Sequence, residues 1–290
     1  MRLALSAYEG WVVNRRIVRP EVFLNAVVSW TDGVCAVSRL LGSGESAQFR
    51  YFYEGLAEAH IDFSTRKIDV WPLSADCTEA TLNHFLSDVL LPGILDHQGE
   101  LVLHAGAVAI EGAAVLFVGA SGRGKSTLTA SFYSEGYTVL SDDGIILTGT
   151  EAGASVKAVY PGIRLLPTTL SALFTEPVRT TEVAHYALKR RIVPDANMSS
   201  ADFPAAALFF LDEPSESDLV SVRPMSASDA CIGMISKSFA LDPSDNVRAR
   251  SRLEQAGRFA NTVPIFALDY PREFASLPQV RQEIAAALGL

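Results

Sequence analysis

The segment that most constrains the fold of this 290-residue chain is Gly119-Ala120-Ser121-Gly122-Arg123-Gly124-Lys125-Ser126, which fits the pattern G-x-x-x-x-G-K-[ST] at every fixed position. An apolar run, Ala114 to Val118, precedes it, and a helical pattern over about Lys125 to Ser134 follows. Glycines let backbone N–H groups surround phosphate oxygens, the lysine neutralises phosphate charge, and the serine hydroxyl reaches Mg²⁺. An ordinary glycine turn with an exposed lysine is the alternative. The residues predicted to bind nucleotide are Gly119, Ala120, Ser121, Gly122, Arg123, Gly124, Lys125, Ser126 and Thr127.

The pattern around this loop predicts an α/β nucleotide-binding domain. Leu101 to His104 and Ala107 to Ile110 are expected to form a pair of strands, and Glu111-Gly112 a turn into the strand at 114–118. Further strands are expected at 137–140, 156–160, 206–211 and 264–268, and helices at about 226–238, 245–259 and 278–288. The missing guanine-reading motif Asn-Lys-x-Asp and transporter motif Leu-Ser-Gly-Gly-Gln disfavour small GTPases and ABC cassettes.

Two adjacent carboxylates, Asp142 and Asp143, follow the strand after the loop, at the edge where ligands collect in open α/β sheets. At a strand end, a slight turn allows one carboxylate to approach a metal ion and the other to face an acceptor. An acidic turn is the alternative, since Asp favours turns. His104 is a second candidate, and a hydrogen-bonded structural histidine is its alternative.

The part before the loop predicts a smaller module. Residues 1–77 alternate short apolar runs, such as Val22-Phe23-Leu24 and Phe49 to Tyr53, with turn residues, which predicts a small β-rich N-terminal module. Residues 78–98 predict a connecting helix that Pro92 interrupts or bends, and residues 99–290 are expected to form the nucleotide-binding domain. The aromatic residues of the first module fit either a core or a peptide-binding face.

Composition excludes several classes. A formal net charge of −9 argues against binding to nucleic acid or to anionic membranes. The most apolar stretch, Leu101 to Ala120, is interrupted by His104 and Glu111, so no membrane span is expected, and the N-terminus turns polar by Tyr8, which disfavours a signal peptide. A cytoplasmic protein is therefore expected. Three cysteines without close spacing predict buried free thiols.

Four stretches carry a resemblance to a known family. They are the loop itself, Leu103-His104-Ala105-Gly106-Ala107-Val108, Gly136-Tyr137 and Ser141-Asp142-Asp143. Together they resemble the catalytic domain of HPr kinase/phosphorylase, the bacterial enzyme that phosphorylates a serine of the carrier protein HPr. The likeness is specific over about Leu101 to Gly144. It implies a core similar to that of phosphoenolpyruvate carboxykinase rather than the doubly wound sheet of common P-loop proteins.

The resemblance also implies roles for single residues. Lys125 would bind the phosphates, Ser126 would hold Mg²⁺, Asp143 would take the acceptor's hydroxyl proton, and His104 would lie close to the reacting groups. The family's metal-binding glutamate has no counterpart in Val159 to Leu165, so metal binding would rest on Ser126 and Asp142, and the sequence leaves the reverse phosphorylase reaction open. Arg164, within this stretch, is a candidate contact for phosphate or acceptor.

The resemblance therefore implies an ATP- and Mg²⁺-dependent kinase that phosphorylates a serine of a protein or peptide. The family's HPr-docking loop and helix have no clear copy, so a different acceptor is expected. The diverged pattern also resembles kinases encoded beside ribosomally made, modified peptides, including lasso peptides, which implies a precursor peptide as acceptor. HPr kinases form hexamers, which implies a homo-oligomer. The alternative hypothesis is a nucleotide-dependent regulatory or binding module, or an ATPase without an acceptor. The basic run Lys189-Arg190-Arg191 fits either a phosphate or acceptor contact or a solvated turn.

Overall fold

The computed structural model describes residues 10–18, 26–150, 153–211, 213 and 219–290. The predicted features at the extreme N-terminus and at Val22 to Leu24 lie outside these residues. The chain divides into two compact units. The first comprises Met1–Gly99, Val183–Ala187 and Ala240–Ala249, and the second comprises Glu100–Glu182, Leu188–Phe239 and Arg250–Leu290. The division into domains expected from the sequence remains a prediction.

The first unit contains a six-stranded sheet in the order β1-β6-β5-β4-β3-β2. Its strands are β1 (Val12–Arg15), β2 (Trp30–Thr31), β3 (Cys35–Leu41), β4 (Gln48–Tyr53), β5 (Ala57–Asp62) and β6 (Lys67–Pro72). Neighbours from β2 to β6 pair antiparallel, while β1 runs parallel to β6. Alternate residues of β4, such as Phe49 and Tyr51, are buried, which is the period-two pattern of a half-buried strand.

A helical segment follows this sheet. It consists of α1 (Glu79–His84), a π-helical stretch (Phe85–Leu90) and α2 (Leu91–Gln98). The Thr78 hydroxyl caps α1 by accepting a hydrogen bond from the Thr81 N–H at 3.2 Å. Pro92 lies in the first turn of α2, directly after the π-helical stretch, and its missing N–H removes one hydrogen bond from this continuous helical segment. The regular α-helix is thus interrupted just before Pro92.

The second unit is built on a larger sheet. The elements are β7 (Leu101–Ile110), β8 (Ala113–Val118), α3 (Lys125–Tyr133), β9 (Thr138–Ser141), β10 (Gly144–Thr150), β11 (Gly153–Ala158), β12 (Arg164–Leu165), α4 (Pro167–Leu173), β13 (Thr180–Glu182), β14 (Arg190–Ile192), β15 (Phe203–Leu211), β16 (Ser221–Pro224), α5 (Ala227–Ser236), α6 (Asn246–Thr262), β17 (Ile265–Asp269) and α7 (Leu277–Ala287), with the start of α6 in the first unit. The main sheet has the order β11-β10-β7-β8-β15-β17-β16, and β9 pairs with β7. Strands β12, β14 and β13 form a small separate sheet. This architecture confirms a mixed α/β chain.

Strand β7 organises the second unit. Its first half pairs with β10, and its second half pairs with β8 on one side and β9 on the other. The predicted strand pair at 101–104 and 107–110 was wrong, because the small residues Ala105 and Gly106 continue one extended strand. The chain reverses only at Glu111 and Gly112, which have φ of +48° and +80°. Along β7, Ala105 and Ala107 face one apolar cluster, while Val108 and Ile110 face another.

The direction of the central strands brings several loops together. Strand β15 runs parallel to both β8 and β17. The carboxyl ends of parallel strands meet at one edge of a sheet, so the segments that follow β8, β15 and β17 converge. A side chain at Gly119 would lie 3.1 Å from the Leu211 carbonyl oxygen, which shows how closely the first two segments approach. No helix in the described parts of the chain has both the length and the apolar character needed to cross a bilayer.

Candidate active site

The glycine-rich loop joins β8 to α3 and depends on two left-handed residues. Gly122 and Gly124 have φ of +81° and +92°, a region that other residues rarely adopt. A Cβ atom on Gly124 would also lie 2.8 Å from the Tyr270 hydroxyl. Helix α3 starts at Lys125, and the Leu128 N–H donates to the Gly124 carbonyl at 2.8 Å. The glycines therefore aim the free N–H groups of the first helical turn towards the loop.

Lys125 is held inside this loop. Its Nζ donates to the carbonyl oxygens of Gly119 at 2.9 Å and Ala120 at 3.1 Å, and the residue is only 5% exposed. Burial lowers the pKa of Lys125 to about 8, although the carboxylates of Asp143 and Asp142 oppose this shift. An ammonium group that is poorly solvated gains more from a nearby phosphate than a fully hydrated one does.

A cavity of about 230 Å³ opens beside the loop. Its lining residues are His104, Ser121, Gly122, Gly124, Lys125, Ser126, Thr127, Asp142, Arg164, Leu165, Leu166, Thr169 and Lys189. Most of the residues predicted to bind nucleotide therefore lie around one space, together with Asp142, Arg164 and His104. Three cations, Lys125, Arg164 and Lys189, face it against the one carboxylate of Asp142. This local excess of positive charge, in a chain of net charge −9, suits a polyanion.

Four predicted residues do not line the cavity. Gly119 and Ala120 present their carbonyl oxygens to Lys125. Arg123 is turned to the Glu213 carboxylate, with which it forms an ion pair. Asp143, 3% exposed, lies behind the cavity wall.

Asp143 lies among several donors. Its Oδ1 is 3.1 Å from His104 Nδ1 and 2.6 Å from Arg164 Nη2, and its Oδ2 accepts the Tyr160 hydroxyl at 2.9 Å. His104 is itself fixed, because its backbone N–H donates to the Lys237 carbonyl at 2.9 Å and its ring lies 5.9 Å from that of Phe239. The carboxylate therefore links a partly exposed histidine at the cavity to a partly buried arginine and tyrosine.

Asp142 faces the same arginine from its other side. Its Oδ2 accepts the backbone N–H of Arg164 at 3.1 Å, and its Oδ1 lies 3.7 Å from Arg164 Nε. Within a strand, neighbouring side chains point to opposite faces, but the two aspartates lie between the end of β9 and the start of β10. The break between these strands lets both carboxylates reach one guanidinium.

The donor set around the cavity fits a transient Mg²⁺ ion better than a resident metal. Among the residues that the structure describes, no group of three or more His, Cys, Asp or Glu side chains is placed to hold a metal. Ser126 and Asp142 supply one hydroxyl and one carboxylate at the cavity. Magnesium is commonly bound by one or two carboxylates together with substrate phosphates and water, so these two residues fit an ion that arrives with a nucleotide.

Sequence reasoning missed several residues here. Tyr160 contacts Asp143, and Arg191 stacks over the Tyr160 ring with its guanidinium carbon 5.0 Å from the ring centroid. Arg272 lies 3.8 Å over the Tyr270 ring, beside Gly124. Tyr270 and Arg272 could have been predicted from their position just after β17, because this strand ends at the same sheet edge as the loop. Tyr160 and Lys237 carried no local motif.

Comparison with known proteins adds little to this geometry. No family model matches the chain, and no curated protein matches it. Among solved structures, the chain is similar to the HPr(Ser) kinase/phosphatase from Coxiella burnetii, with a TM-score of 0.35 and 11% identity over 65% of this chain and 97% of that chain. A likeness at this level assigns neither a family nor an activity to the chain.

Proposed function

We propose that the chain is an ATP- and Mg²⁺-dependent kinase that transfers the γ-phosphoryl group to a serine hydroxyl of a protein or peptide. The observation that carries the proposal is the cavity in which a glycine-rich loop, the buried Lys125, Ser126, His104 and Asp142 meet, with Asp143 directly behind. Phosphoryl transfer depends mainly on positioning and charge neutralisation, and this set of groups supplies both.

The proposal gives the residues two kinds of role. The loop N–H groups, Lys125 and Lys189 would hold phosphate oxygens, and Ser126 and Asp142, which line the same cavity, would hold Mg²⁺. The ion, when bound, would offset the charge on the phosphates. Asp143 would accept the acceptor's proton, and the His104 imidazole, 3.1 Å away, would orient it.

The test is an incubation of the purified chain with Mg²⁺ and γ-labelled ATP, with candidate precursor peptides or a cell lysate, followed by mass spectrometry for phosphoserine. Lys125→Ala should abolish nucleotide binding and transfer. Asp143→Asn should lower transfer by about 10²–10⁴-fold, the usual contribution of a positioned base, without weakening nucleotide binding. Transfer by Asp143→Asn at the wild-type rate would refute the assignment of the base.

A nucleotide-dependent regulatory module is the second candidate, and the engagement of Asp143 favours it. Oδ1 of Asp143 lies against Arg164 and His104, and Oδ2 accepts from Tyr160, so an acceptor hydroxyl would compete with these partners in this conformation. This candidate predicts tight nucleotide binding with a nucleotide-induced change in partner affinity, and label that never reaches an acceptor. Label found only as free phosphate would indicate an ATPase.

A further inference from the structure

The contacts of Arg164 bear on how the candidate site is switched on. Its guanidinium lies 2.6 Å from Asp143 Oδ1 and 3.7 Å from Asp142 Oδ1, while the same side chain lines the cavity beside the loop. It is 12% exposed, against 4% for the Asp143 side chain. One arginine therefore contacts both the proposed base and the proposed metal ligand, and it also lines the space where phosphates would lie.

Oδ1 of Asp143, the oxygen next to His104, already has two donors beside it, so an acceptor hydroxyl that approaches this oxygen must displace one of them. The Tyr160 hydroxyl bonds the other oxygen, and the Tyr160 ring is covered by the Arg191 guanidinium, so it is fixed from behind. The backbone of His104 is part of β7, so this residue is held in the sheet. Arg164 is the partner with an alternative anion within reach, because guanidinium binds phosphate oxygens as well as carboxylates in a fork geometry.

We propose that Arg164 is a positioning residue that exchanges its ion pair with Asp143 for a contact with nucleotide phosphate, so that phosphate binding frees the base. The proposal rests on the kinase function proposed above. Before nucleotide binds, the ion pair keeps Asp143 engaged. When phosphates enter the cavity, the guanidinium turns towards them, and Asp143 keeps His104 and Tyr160 while one lone pair of Oδ1 becomes available.

This exchange has a thermodynamic consequence that can be measured without turnover. Phosphate binding must break the Arg164–Asp143 ion pair, so removing the Asp143 charge should strengthen phosphate binding. By linkage, the ion pair weakens phosphate binding by the same free energy by which bound phosphate weakens the ion pair. A coupling of this kind is typically worth about 5- to 150-fold in affinity. General relief of negative charge near the phosphates would also strengthen binding, but that effect does not need Arg164.

The experiment is a double-mutant cycle on the full-length chain, with ADP and inorganic tripolyphosphate as probes and calorimetry as the readout. We expect Asp143→Asn to tighten binding about tenfold in the wild-type background and less than about twofold in the Arg164→Gln background. Arg164→Gln alone should weaken binding, and Arg164→Lys, which keeps the charge, should restore part of it. Thermal unfolding checks that each variant folds. If Arg164→Gln does not fold, Arg164→Lys replaces it in the cycle, and Asp143→Asn should then tighten binding by less than it does in the wild-type background.

Equal tightening in both backgrounds, or none in either, would overturn the exchange while leaving the kinase proposal standing. Refutation of the kinase proposal would rest on a different result, namely that the wild-type protein fails to bind ADP or to transfer phosphate. If Asp143→Asn tightens ADP binding only when Arg164 is present, and the chain binds ADP but phosphorylates nothing, the exchange would still stand as a nucleotide-sensing device.

Discussion

At the scale of single residues, Lys125 makes the binding of phosphate depend on pH. Burial holds the pKa of Lys125 at about 8 in the free chain, so the ammonium loses its proton as the pH rises through that value. A bound phosphate stabilises the ammonium and therefore raises the pKa of Lys125 in the complex. Below about pH 8 the affinity for ADP should be flat, and above it the affinity should fall by at most tenfold per pH unit.

Calorimetric titration with ADP from about pH 7 to about 9.5 measures this dependence, and binding at the upper end should take up a proton from the buffer. Lys125→Arg is the matched control, since a guanidinium stays charged over the whole range and removes the dependence. A wild-type affinity that stays constant up to about pH 9.5 would show that Lys125 remains charged in the free chain.

The residues that could be predicted from the sequence are those whose signal is local. The loop and the aspartate pair are each contiguous; most of the loop and Asp142 line one cavity together with His104, and Asp143 contacts His104 without lining it. The roles assigned to them remain predictions. Tyr160 and Arg272 reach the same region from distant segments, and only tertiary packing decides which surface tyrosine or arginine arrives there. Arg164 was a candidate contact, but its pairing with both carboxylates depends on the break between β9 and β10.

At the scale of elements, the packing of α3 on β7 depends on Gly106. A Cβ atom at this position would overlap the Thr129 hydroxyl oxygen, which is buried without a hydrogen-bond partner in the structure. Gly106→Ala should therefore cost about 1–3 kcal/mol in the free energy of unfolding, the usual penalty of overpacking. Since α3 carries Lys125 at its start, nucleotide affinity should fall as well.

A second substitution tests whether overlap with Thr129 causes the loss of stability in Gly106→Ala, with the free energy of unfolding measured in urea. Thr129→Ala removes the overlapping atom, so Gly106→Ala should cost less than about 0.5 kcal/mol in that background. Gly257→Ala in α6 is the matched control, because nothing lies within 4 Å of a Cβ there and alanine favours the helix by about 1 kcal/mol. An equal cost of Gly106→Ala with and without Thr129 would place the strain elsewhere.

Element types were predictable because their patterns are periodic, whereas element boundaries depended on packing. Strands β8, β15 and β17 and helices α3, α5 and α7 all overlap their predicted ranges. The split of β7 into two strands failed because Ala105 and Gly106 resemble a turn in composition but are extended in the sheet. The residues Phe85–Leu90 form a π-helical stretch, which the spacing of apolar residues alone does not distinguish from an α-helix.

At the scale of the whole molecule, net charge and the order of segments along the chain say little about which residues come together. The net charge of −9 describes the average surface, yet the cavity gathers cations from separate elements. The sequence pattern predicts modules that follow one another along the chain, while the contacts assign Val183–Ala187 and Ala240–Ala249 to the same unit as residues 1–99. Returning segments of this kind leave no local signal, since they are short and their partners lie far away in sequence.

These returning segments predict that residues 100–290 do not fold as well alone as within the whole chain. Val183 and Leu241 are 4% and 1% exposed, and both belong to the first unit, where a side chain at Gly93 would lie 3.2 Å from the Leu241 backbone. A fragment without residues 1–99 would expose these two side chains, which should cost about 3–6 kcal/mol at the usual value for burying Val and Leu. Urea unfolding followed by circular dichroism compares the fragment with the full chain.

Leu241→Ser tests whether the missing burial is the reason. In the full chain this substitution should cost about 2–4 kcal/mol, because it removes a buried apolar side chain from the first unit. In the fragment the same side chain is already exposed, so the substitution should change the free energy of unfolding by less than about 0.5 kcal/mol. If the fragment instead loses as much stability as the full chain does, Leu241 is buried by residues after 99, and the first unit does not include this segment.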